Sequence, residues 1–343
     1  MRPGRVEQVR VHGVDDVRVD EVDRPVPGAR DAVVAVAACG ICGTDLGYIR
    51  HGGVAGPGPE PMPLGHEMAG VVEWVGREVG DVEVGARVVV HPGNDELGRI
   101  GNGAPEGGLA RELLVRDAAR GGRLIPVPPE MPLDIAALTE PLDVGMHAVE
   151  QSDAEPGESV AVFGCGPIGL GAIATLRDRG VERIVGVDLS ARRRELAVAL
   201  GADAALDPGA DDVWRELARV HGSSRSMFGA APATDVYIEA SGAARVITDF
   251  VGRARRGARL SVVALHYEPV TTNFLLVMAK QLTIRGSIEY PERFEAGIEL
   301  LARRDLSVLI TDRVPIDLFA DALALLSGNR DCGKVMITIG DER

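Results

Sequence analysis

The sequence predicts an α/β protein of two domains, an irregular β domain followed by a doubly wound parallel sheet. Valine at alternate positions over residues 6–37 is typical of half-buried strands. From residue 159 onward, short apolar runs alternate with helix-like stretches, a pattern that requires parallel strands joined by crossover helices. The chain of 343 residues is also too long for one ordinary core.

The first domain begins with strands and contains long loops. A turn at residues 25–28 interrupts the early strands, and a glycine- and proline-rich loop runs over residues 52–63. Further along the chain we expect strands at 71–75 and 86–91 and a helix over 136–148. We assign residues 1–150 to this domain.

The second domain follows a polar boundary at residues 151–158. Its expected strands lie at 159–163, 183–188, 236–239, 259–264 and 281–286. Its expected helices lie at 167–179, 191–199 and about 243–254. We assign residues 151–290 to this domain. A helix near 291–302 and a strand at 334–339 follow, and we expect residues from about 291 to 343 to complete the first domain.

A glycine motif joins the first strand and helix of the second domain, at Gly164-Cys165-Gly166-Pro167-Ile168-Gly169. Gly164 allows the sharp turn, Gly166 lets a pyrophosphate approach the backbone, and Gly169 lets the helix lie close to the strand. Asp188 ends the next strand, 24 residues after Gly164, where it can accept the ribose hydroxyls. The segment predicts a Rossmann dinucleotide site, and a glycine-rich turn without a ligand is the alternative.

The residues after this strand bear on the choice of dinucleotide. Asp188 would repel a 2′-phosphate, so the sequence favours NAD over NADP. Arg192, Arg193 and Arg194 follow closely and leave NADP open, although they are equally consistent with a solvated helix start.

Three residues of the first domain offer a zinc donor set. Cys42, His66 and Glu67 provide a thiolate, an imidazole and a carboxylate, and three protein ligands leave a fourth position for an alcohol or ketone oxygen. Cys39 and Cys42 also form C-x-x-C, so a structural zinc or a redox dithiol is an alternative. No further cysteine lies nearby for a structural zinc, and we expect Cys39 to be a buried strand residue.

Composition narrows the class of protein. An aromatic content of 3% predicts cores built from Val, Leu, Ile and Ala. The net charge of −14 argues against nucleic acid or an anionic membrane as a partner. We see no signal-peptide segment and no apolar run of membrane-spanning length, and the four cysteines are too scattered for a disulfide scaffold. We therefore expect a cytoplasmic protein.

Five segments in family order resemble the zinc-dependent medium-chain dehydrogenase/reductase family. They are ICGTD, GHE, LTEPL, GCGPIG and CGKV, at 41–45, 65–67, 138–142, 164–169 and 332–335. The nearest branches are the polyol branch (sorbitol dehydrogenase) and the secondary-alcohol branch (butanediol and threonine dehydrogenases). The resemblance covers nearly the whole chain and implies a GroES-like catalytic domain beside the Rossmann domain.

This resemblance assigns roles around the metal. Cys42, His66 and Glu67 correspond to the catalytic zinc ligands, and Glu140 is similar to an acid that sits by the metal as a ligand or through bound water or substrate. The resemblance also implies that Asp45 orients the zinc-binding imidazole and that Thr44 takes the alcohol proton and passes it to the cofactor ribose.

The resemblance also assigns cofactor and substrate contacts. Beyond the glycine motif with Pro167, the implied cofactor residues are Ile168, Asp188, Arg193, Val263, Ala264 and Leu265, the last three through backbone atoms that hold the nicotinamide amide. Tyr48 and Tyr290 correspond to the substrate-contacting tyrosines of the polyol branch, and we group Tyr290 with the cofactor residues.

The sequence departs from the family pattern at three places. Gly47 replaces a histidine that ends the proton relay in many members, so the relay must end elsewhere, on His51 or on water. Residues 94–108 align with a lobe that often holds a structural zinc but contain no cysteine, so we expect one catalytic zinc per chain. Glu289 replaces a substrate-binding arginine, which disfavours acidic substrates and weakens the case for sorbitol.

The remaining histidines, which we expect to be structural or surface residues, are His12, His91, His147, His221 and His266.

The expected protein is a cytoplasmic, NAD-preferring zinc dehydrogenase that interconverts a small neutral secondary alcohol, diol or polyol and its ketone. One alternative is a zinc-free NAD(P)H-dependent reductase of activated double bonds on the same scaffold, and another is a non-catalytic nucleotide-binding protein. The zinc donor set speaks against the first alternative, and the Thr44 relay speaks against the second. An apolar run ahead of an edge strand at 271–286, together with the resemblance, predicts a homodimer or homotetramer.

Overall fold

A computed structural model describes residues 4–93, 99–328 and 331–340. The chain forms two compact units. The first contains Met1–Glu140, Gly297–Asn329 and Lys334–Arg343, and the second contains Pro141–Ala296 and Arg330–Gly333. The first junction lies upstream of the boundary that we assigned at residue 150, and the domain limits of 150 and 290 stay a prediction.

The secondary structure up to residue 152 is mostly short strands. Its elements are β1 (Arg5–Gly13), β2 (Asp16–Asp23), β3 (Ala32–Gly40), α1 (Gly43–His51), β4 (Met62–Pro63), β5 (Glu67–Val75), β6 (Arg87–Val90), β7 (Glu112–Val115), β8 (Leu124–Pro126), α2 (Leu133–Ala136) and α3 (Thr139–Ser152).

Strands and helices alternate from residue 159. The elements are β9 (Ser159–Phe163), α4 (Pro167–Asp178), β10 (Arg183–Val187), α5 (Ala191–Leu200), β11 (Ala204–Leu206), α6 (Val213–His221), β12 (Ser223–Ser226), β13 (Gly229–Pro232), β14 (Val236–Glu239), α7 (Ala244–Arg253), β15 (Arg259–Val262), α8 (Phe274–Lys280) and β16 (Thr283–Gly286). The last elements are α9 (Ala296–Arg303), β17 (Ile310–Pro315), α10 (Phe319–Gly328) and β18 (Lys334–Thr338).

The first unit is built on a seven-stranded sheet whose order is β17-β18-β3-β5-β6-β8, with β7 also paired to β3. β3 lies inside this sheet, and eight of its nine residues are buried, as its run of Val and Ala requires. The antiparallel register sets Gly40 opposite both Glu67 on β5 and Met336 on β18. The register therefore brings the ends of three strands together. A second sheet has the order β2-β1-β4.

The second unit contains a six-stranded parallel sheet in the order β11-β10-β9-β14-β15-β16. Numbered along the chain, this is the 3-2-1-4-5-6 order of a dinucleotide-binding sheet. The prediction of a doubly wound parallel sheet is therefore confirmed. The hairpin β12–β13 forms a separate two-stranded sheet that the sequence analysis missed.

The core of the second unit is not only aliphatic, so the prediction from composition is wrong at this place. Trp214 stacks on Tyr237 with ring centroids 5.5 Å apart, and Tyr237 meets Phe250 edge to face at 5.2 Å. Phe163 lies 6.3 Å from both Trp214 and Tyr237. Four aromatic side chains therefore form part of this core, where each buries a large apolar surface.

Candidate active site

Cys42, His66 and Glu67 come together in the first unit. Their donor atoms all lie within 4.8 Å of one another, and among the residues that the structure describes they form the one such group that could hold a metal. Cys42 precedes α1, while Glu67 begins β5 directly after His66. His66 and Glu67 are buried and Cys42 is half-buried. One sulfur, one nitrogen and one oxygen donor are the ligand types that zinc takes.

Asp45 faces the imidazole of His66. Its Oδ1 lies 3.6 Å from His66 Nδ1, a buried nitrogen without a hydrogen-bond partner. Asp45 is itself held in place, because its Oδ2 accepts from the Cys42 N–H at 2.9 Å and its Oδ1 from the Gly65 N–H at 3.4 Å. A metal-bound histidine usually directs its second nitrogen at such a carboxylate, which leaves Nε2 for the metal. The residues present therefore fit zinc.

The charges of this group change the pKa values of its members. Burial lowers the pKa of His66, but the nearby Asp45 and Cys42 outweigh burial and raise it well above the ordinary value. Burial also raises the pKa of the Asp45 carboxyl. A metal bound at His66 must displace the proton that these anions hold there.

Lys334 is an additional member of the group that the sequence analysis missed. Its Nζ donates to both carboxylate oxygens of Glu67 at 2.6 Å and to the Ile41 carbonyl at 3.1 Å. Burial lowers the pKa of Lys334, but Glu67, Cys42 and Glu140 together raise it above the ordinary value. The segment CGKV contains this lysine, but only the strand register shows that it reaches Glu67.

Glu140 and Thr44 lie near the three donors. Glu140 is a buried residue of the first turn of α3 and stands outside the three-donor group, although its charge contributes to the raised pKa of His66. Thr44 Oγ1 lies 3.6 Å from Cys42 Sγ. The Thr44 hydroxyl therefore contacts one member of the metal group, and the Glu140 carboxylate influences the charge of another.

Tyr48 and His51 lie on α1. The Tyr48 hydroxyl donates to Asn102 Oδ1 at 3.1 Å, a contact that the sequence analysis missed. His51 is exposed, and its Nδ1 lies 2.7 Å from the carbonyl oxygen of Gly47. The structure thus ties His51 to the backbone of the residue that replaces the relay histidine.

The lobe without cysteines is partly described. Residues 94–98 lie outside the described residues. The end of the lobe is held by backbone hydrogen bonds, from the Gly108 N–H to the Gly65 carbonyl at 2.7 Å and from the Leu109 N–H to the Leu64 carbonyl at 3.0 Å. These bonds fix the backbone of Leu64 and Gly65, which directly precede His66.

The glycine turn of the second unit leaves room for a phosphate. A Cβ on Gly169 would lie 1.8 Å from the Gly164 carbonyl oxygen, so only glycine allows this close approach of helix and strand. A Cβ on Gly166 would meet only Arg193 Nη1, at 3.9 Å. Gly166 caps the twelve-residue helix α4, which has Pro167 at its start. Free N–H groups, open space and a guanidinium fit a pyrophosphate.

Asp188 lies at the carboxyl end of β10. Its Oδ2 accepts from the Cys165 N–H and its Oδ1 from the Ser190 N–H, both at 2.8 Å. Each carboxylate oxygen keeps a further lone pair that a ribose hydroxyl can use. The residues present therefore fit a dinucleotide.

The three arginines after Asp188 are all engaged. Arg192 pairs with Glu195 at 3.2 Å, and Arg193 Nε donates to the Cys332 carbonyl at 2.9 Å. Arg194 donates to the carbonyls of Asp188 and Leu189, both at 2.8 Å, and pairs with Asp207 at 3.2 Å.

The remaining predicted residues of this unit lie after β15 and β16. The N–H groups of Val263 and Ala264 donate to the Glu239 carbonyl at 2.9 and 3.2 Å, and Leu265 follows them, half exposed. Tyr290 packs edge to face on Phe294, with ring centroids 5.1 Å apart. Glu289 has a φ of 73°, a conformation that non-glycine residues seldom adopt.

The first unit carries a zinc donor set, and the second carries a dinucleotide-binding turn. Together they define a class of protein, the metal-dependent dehydrogenases that use a nicotinamide dinucleotide. Residues 28–129 match the alcohol dehydrogenase GroES-like domain, and residues 167–303 match the zinc-binding dehydrogenase domain. The chain belongs to the zinc-type medium-chain alcohol dehydrogenase family. It is an oxidoreductase that acts on CH–OH groups.

Several relatives cover nearly all of the chain. (R,R)-butanediol dehydrogenase of Neisseria gonorrhoeae is 31% identical, over 97% of this chain and 99% of that protein. Human sorbitol dehydrogenase is 31% identical, over 90% of this chain and 88% of that protein. The crystal structure of 2R,3R-butanediol dehydrogenase from Bacillus subtilis is 27% identical, covers 97% of this chain and 99% of its own, and has a TM-score of 0.84. The structure of a zinc-binding dehydrogenase from Sinorhizobium meliloti bound to NADP is 26% identical. It covers 98% of this chain and 99% of its own, and it also has a TM-score of 0.84.

These relatives confirm the predicted family, fold and reaction class. They give no support to the zinc-free reductase or to the non-catalytic protein. Within the described ranges, no helix is both long and apolar enough to cross a membrane.

Proposed function

We propose that this protein is an NAD-preferring dehydrogenase with one catalytic zinc, and that it interconverts small neutral secondary alcohols, diols or polyols and their ketones. The observation that carries the proposal is the convergence of Cys42, His66 and Glu67 donors within 4.8 Å. The names of the relatives, butanediol and sorbitol dehydrogenase, support the diol and polyol substrates.

Residues of the first unit have different roles at the metal. When bound, zinc supplies a Lewis acid for the substrate oxygen and NAD supplies the hydride acceptor. Cys42, His66 and Glu67 hold the metal, and Asp45 fixes the ring of His66 through Nδ1. Glu140 adds a negative charge beside them, as a ligand or through the substrate or water. Because an imidazole coordinates only when neutral, His66 gives up its proton when the metal binds.

Proton movement is assigned to α1. Thr44 Oγ1 would accept the proton of the alcohol while donating its own, and NAD, when bound, would offer a ribose hydroxyl as the next acceptor. Since Gly47 offers no side chain, the relay ends on His51 or on water. The contact between His51 Nδ1 and the Gly47 carbonyl leaves the His51 ring at the surface, where it can exchange a proton with solvent.

In the second unit, the glycine turn and Arg193 hold the pyrophosphate. The rest of the cofactor is contacted by Ile168 and by backbone atoms of Val263, Ala264 and Leu265. The preference for NAD rests on Asp188, whose negative charge opposes a 2′-phosphate. The engagement of Arg192 and Arg194 by Glu195 and Asp207 supports it, because neither guanidinium is left without an anion partner. The NADP in the Sinorhizobium meliloti relative shows that the family also includes NADP binders.

The zinc count and the substrate class follow from two departures from the family pattern. Residues 94–108 contain no cysteine, which supports a single zinc. Glu289 disfavours acidic substrates, and Tyr48 and Tyr290 are proposed to contact the substrate. The hydrogen bond from Tyr48 to Asn102 supports a fixed position for the Tyr48 hydroxyl.

We also propose a homodimer or homotetramer and a reducing, cytoplasmic compartment. β16 ends the parallel sheet, and the helix before it exposes Phe274, Leu275 and Met278 by 65–74% of their surface. An apolar surface beside a sheet edge is suited to pairing with a second copy. All four cysteines are free. Sedimentation at micromolar concentration tests the assembly, and a monomer would contradict it.

One experiment tests the proposed function. Zinc is measured in the purified protein, and NAD reduction is then followed with diols, polyols and cyclic secondary alcohols before and after chelation. We expect about one zinc per chain and turnover that a chelator abolishes. Cys42→Ser should lose zinc and activity together, whereas Cys39→Ser, the matched control in the same C-x-x-C, should keep both. Activity unchanged by chelation would favour the zinc-free reductase.

A further inference from the structure

Glu239 is a buried carboxylate at the carboxyl end of β14 that the sequence analysis did not single out. Its side chain is fully buried. Its Oε1 accepts three hydrogen bonds from the following turn, from the Ser241 N–H at 2.8 Å, the Ser241 hydroxyl at 2.5 Å and the Gly242 N–H at 2.9 Å. A carboxylate is stable inside a protein only when it is paired in this way.

His266 binds the other oxygen of the same carboxylate. His266 Nε2 lies 2.9 Å from Glu239 Oε2, and the His266 side chain is only 12% exposed. His266, which we expected to be a structural or surface residue, therefore has a buried carboxylate as its partner. The main chain of Glu239 also accepts from Val263 and Ala264. Glu239 therefore holds residues 263–266 through both its backbone and its side chain.

The turn that Glu239 organises also supports the glycine motif. A Cβ on Gly164 would lie 2.6 Å from both the Ala240 carbonyl carbon and the Ser241 nitrogen, so the two turns are packed backbone to backbone. Ser241 is one of the residues that Glu239 Oε1 holds. Glu239 thus connects the turn proposed to bind pyrophosphate with the segment proposed to bind nicotinamide.

The segment held by Glu239 lies in an irregular stretch of the chain. Residues 263–273 form neither helix nor strand. Leu265 is 49% and Tyr267 72% exposed, and the next side chain that packs on the core of the unit is Val270. His266 and Val270 are therefore two anchors of this stretch, one through the buried carboxylate of Glu239 and one through the core.

We propose that His266 is a positioning residue for the nicotinamide end of the cofactor. Through Glu239 it fixes the backbone of residues 263–265 relative to the glycine turn, so that both ends of the dinucleotide meet preformed contacts. The inference rests on the proposed binding of NAD. Loss of a hydrogen bond to a buried charged group weakens the affinity of a ligand that relies on this bond by roughly tenfold or more. The affinity for NAD should therefore fall measurably when His266 is removed.

The test compares two ligands that differ only in the nicotinamide. Dissociation constants for NAD and for ADP-ribose are measured by calorimetry on the intact protein, together with KM and kcat for NAD. We expect His266→Ala to weaken NAD by about tenfold and to leave ADP-ribose within about twofold of wild type. Glu268→Gln, an exposed change in the same loop, should leave both ligands unchanged.

A pair of amide variants guards against a simple loss of folding. The amide nitrogen of Gln can reach the position of His Nε2, whereas that of Asn is too short, so His266→Gln should restore NAD binding and His266→Asn should not. Equal weakening of NAD and ADP-ribose, or equal behaviour of the two amides, would overturn the inference. A wild-type protein that binds neither ligand would instead refute the cofactor assignment, and the inference with it.

Discussion

Lys334 and Glu67 form a fully enclosed ion pair, in which one ammonium donates to both carboxylate oxygens at 2.6 Å. The two residues are 2% and 0% exposed. Glu67 therefore has two tasks, because the same carboxylate also faces Cys42 and His66. The ammonium partly balances the anions that a metal would otherwise have to neutralise alone.

Removing the lysine should make folding depend on the metal. Lys334→Met leaves Glu67 buried without its partner, which costs about 3–5 kcal/mol in the metal-free protein. A bound zinc supplies the missing positive charge, so we expect zinc to raise the melting temperature of this variant by more than it raises that of wild type. Lys280→Met is the control, since Lys280 is buried against the carbonyls of Val251, Gly252 and Ala254, in the second unit. Equal zinc-induced shifts in all three proteins would contradict this role.

Gly40 should be needed for the position of Glu67. A Cβ at Gly40 would lie 2.0 Å from Glu67 Oε2 and 3.1 Å from Lys334 Cδ, so the carboxylate must move. We expect Gly40→Ala to weaken zinc about 10- to 100-fold, the usual effect of disturbing groups that orient a ligand. Competition with a chromophoric chelator measures this. Gly43→Ala is the matched control, because a Cβ there meets no other group within 4 Å. Wild-type zinc affinity in Gly40→Ala would show that Glu67 does not hold the metal.

Local patterns made part of this protein predictable. β9, α4 and β10 were expected to within one residue, because an apolar strand, a glycine turn and a helix leave marks at fixed short spacing. The candidate metal ligands Cys42, His66 and Glu67 were also predictable, because their residue types are those that zinc prefers. The amphipathic pattern of α6, with Val213, Trp214 and Leu217 buried, could also have been found.

Pairings over long sequence distances were not predictable. Lys334 and Glu67 are 267 residues apart, and they meet only because β18 and β5 both pair with β3. Glu239 and His266 meet because parallel β14 and β15 end at the same edge of the sheet. The hairpin β12–β13 was missed for another reason, since its exposed Ser, Arg and Gly residues show no alternation of apolar and polar side chains.

Asp188 should set the cofactor preference. In Asp188→Asn the carboxylate is lost, so a ribose hydroxyl loses a charged acceptor and a 2′-phosphate is no longer repelled. We expect the ratio of kcat/KM for NAD to that for NADP to fall by roughly tenfold or more, the effect of one charged hydrogen bond. Glu182→Gln, an exposed change in the same unit, controls for the loss of one negative charge. An unchanged ratio would mean that Asp188 does not face the ribose.

His221 should make the second unit sensitive to acid. Burial, with a smaller effect of Arg183, lowers the pKa of His221 to about 4, and its Nδ1 lies 2.8 Å from Thr234 Oγ1. An unfolded histidine titrates near 6.5. Between these values the unfolded chain holds the extra proton, so stability is complete above about pH 6.5 and falls as the pH drops toward 4. The loss over this range is about 3 kcal/mol.

This acid sensitivity can be isolated with one histidine variant. His221→Asn keeps a polar group near Thr234 but does not titrate, so its stability should change less with pH, even if it starts lower. Urea unfolding is measured at several pH values in a Trp74→Phe background, in which Trp214 in the core of the second unit is the remaining tryptophan. His12→Asn, a change in the first unit, controls for losing a histidine. The same slope between pH 6.5 and 4 in wild type and His221→Asn would show that acid acts on the second unit through other groups.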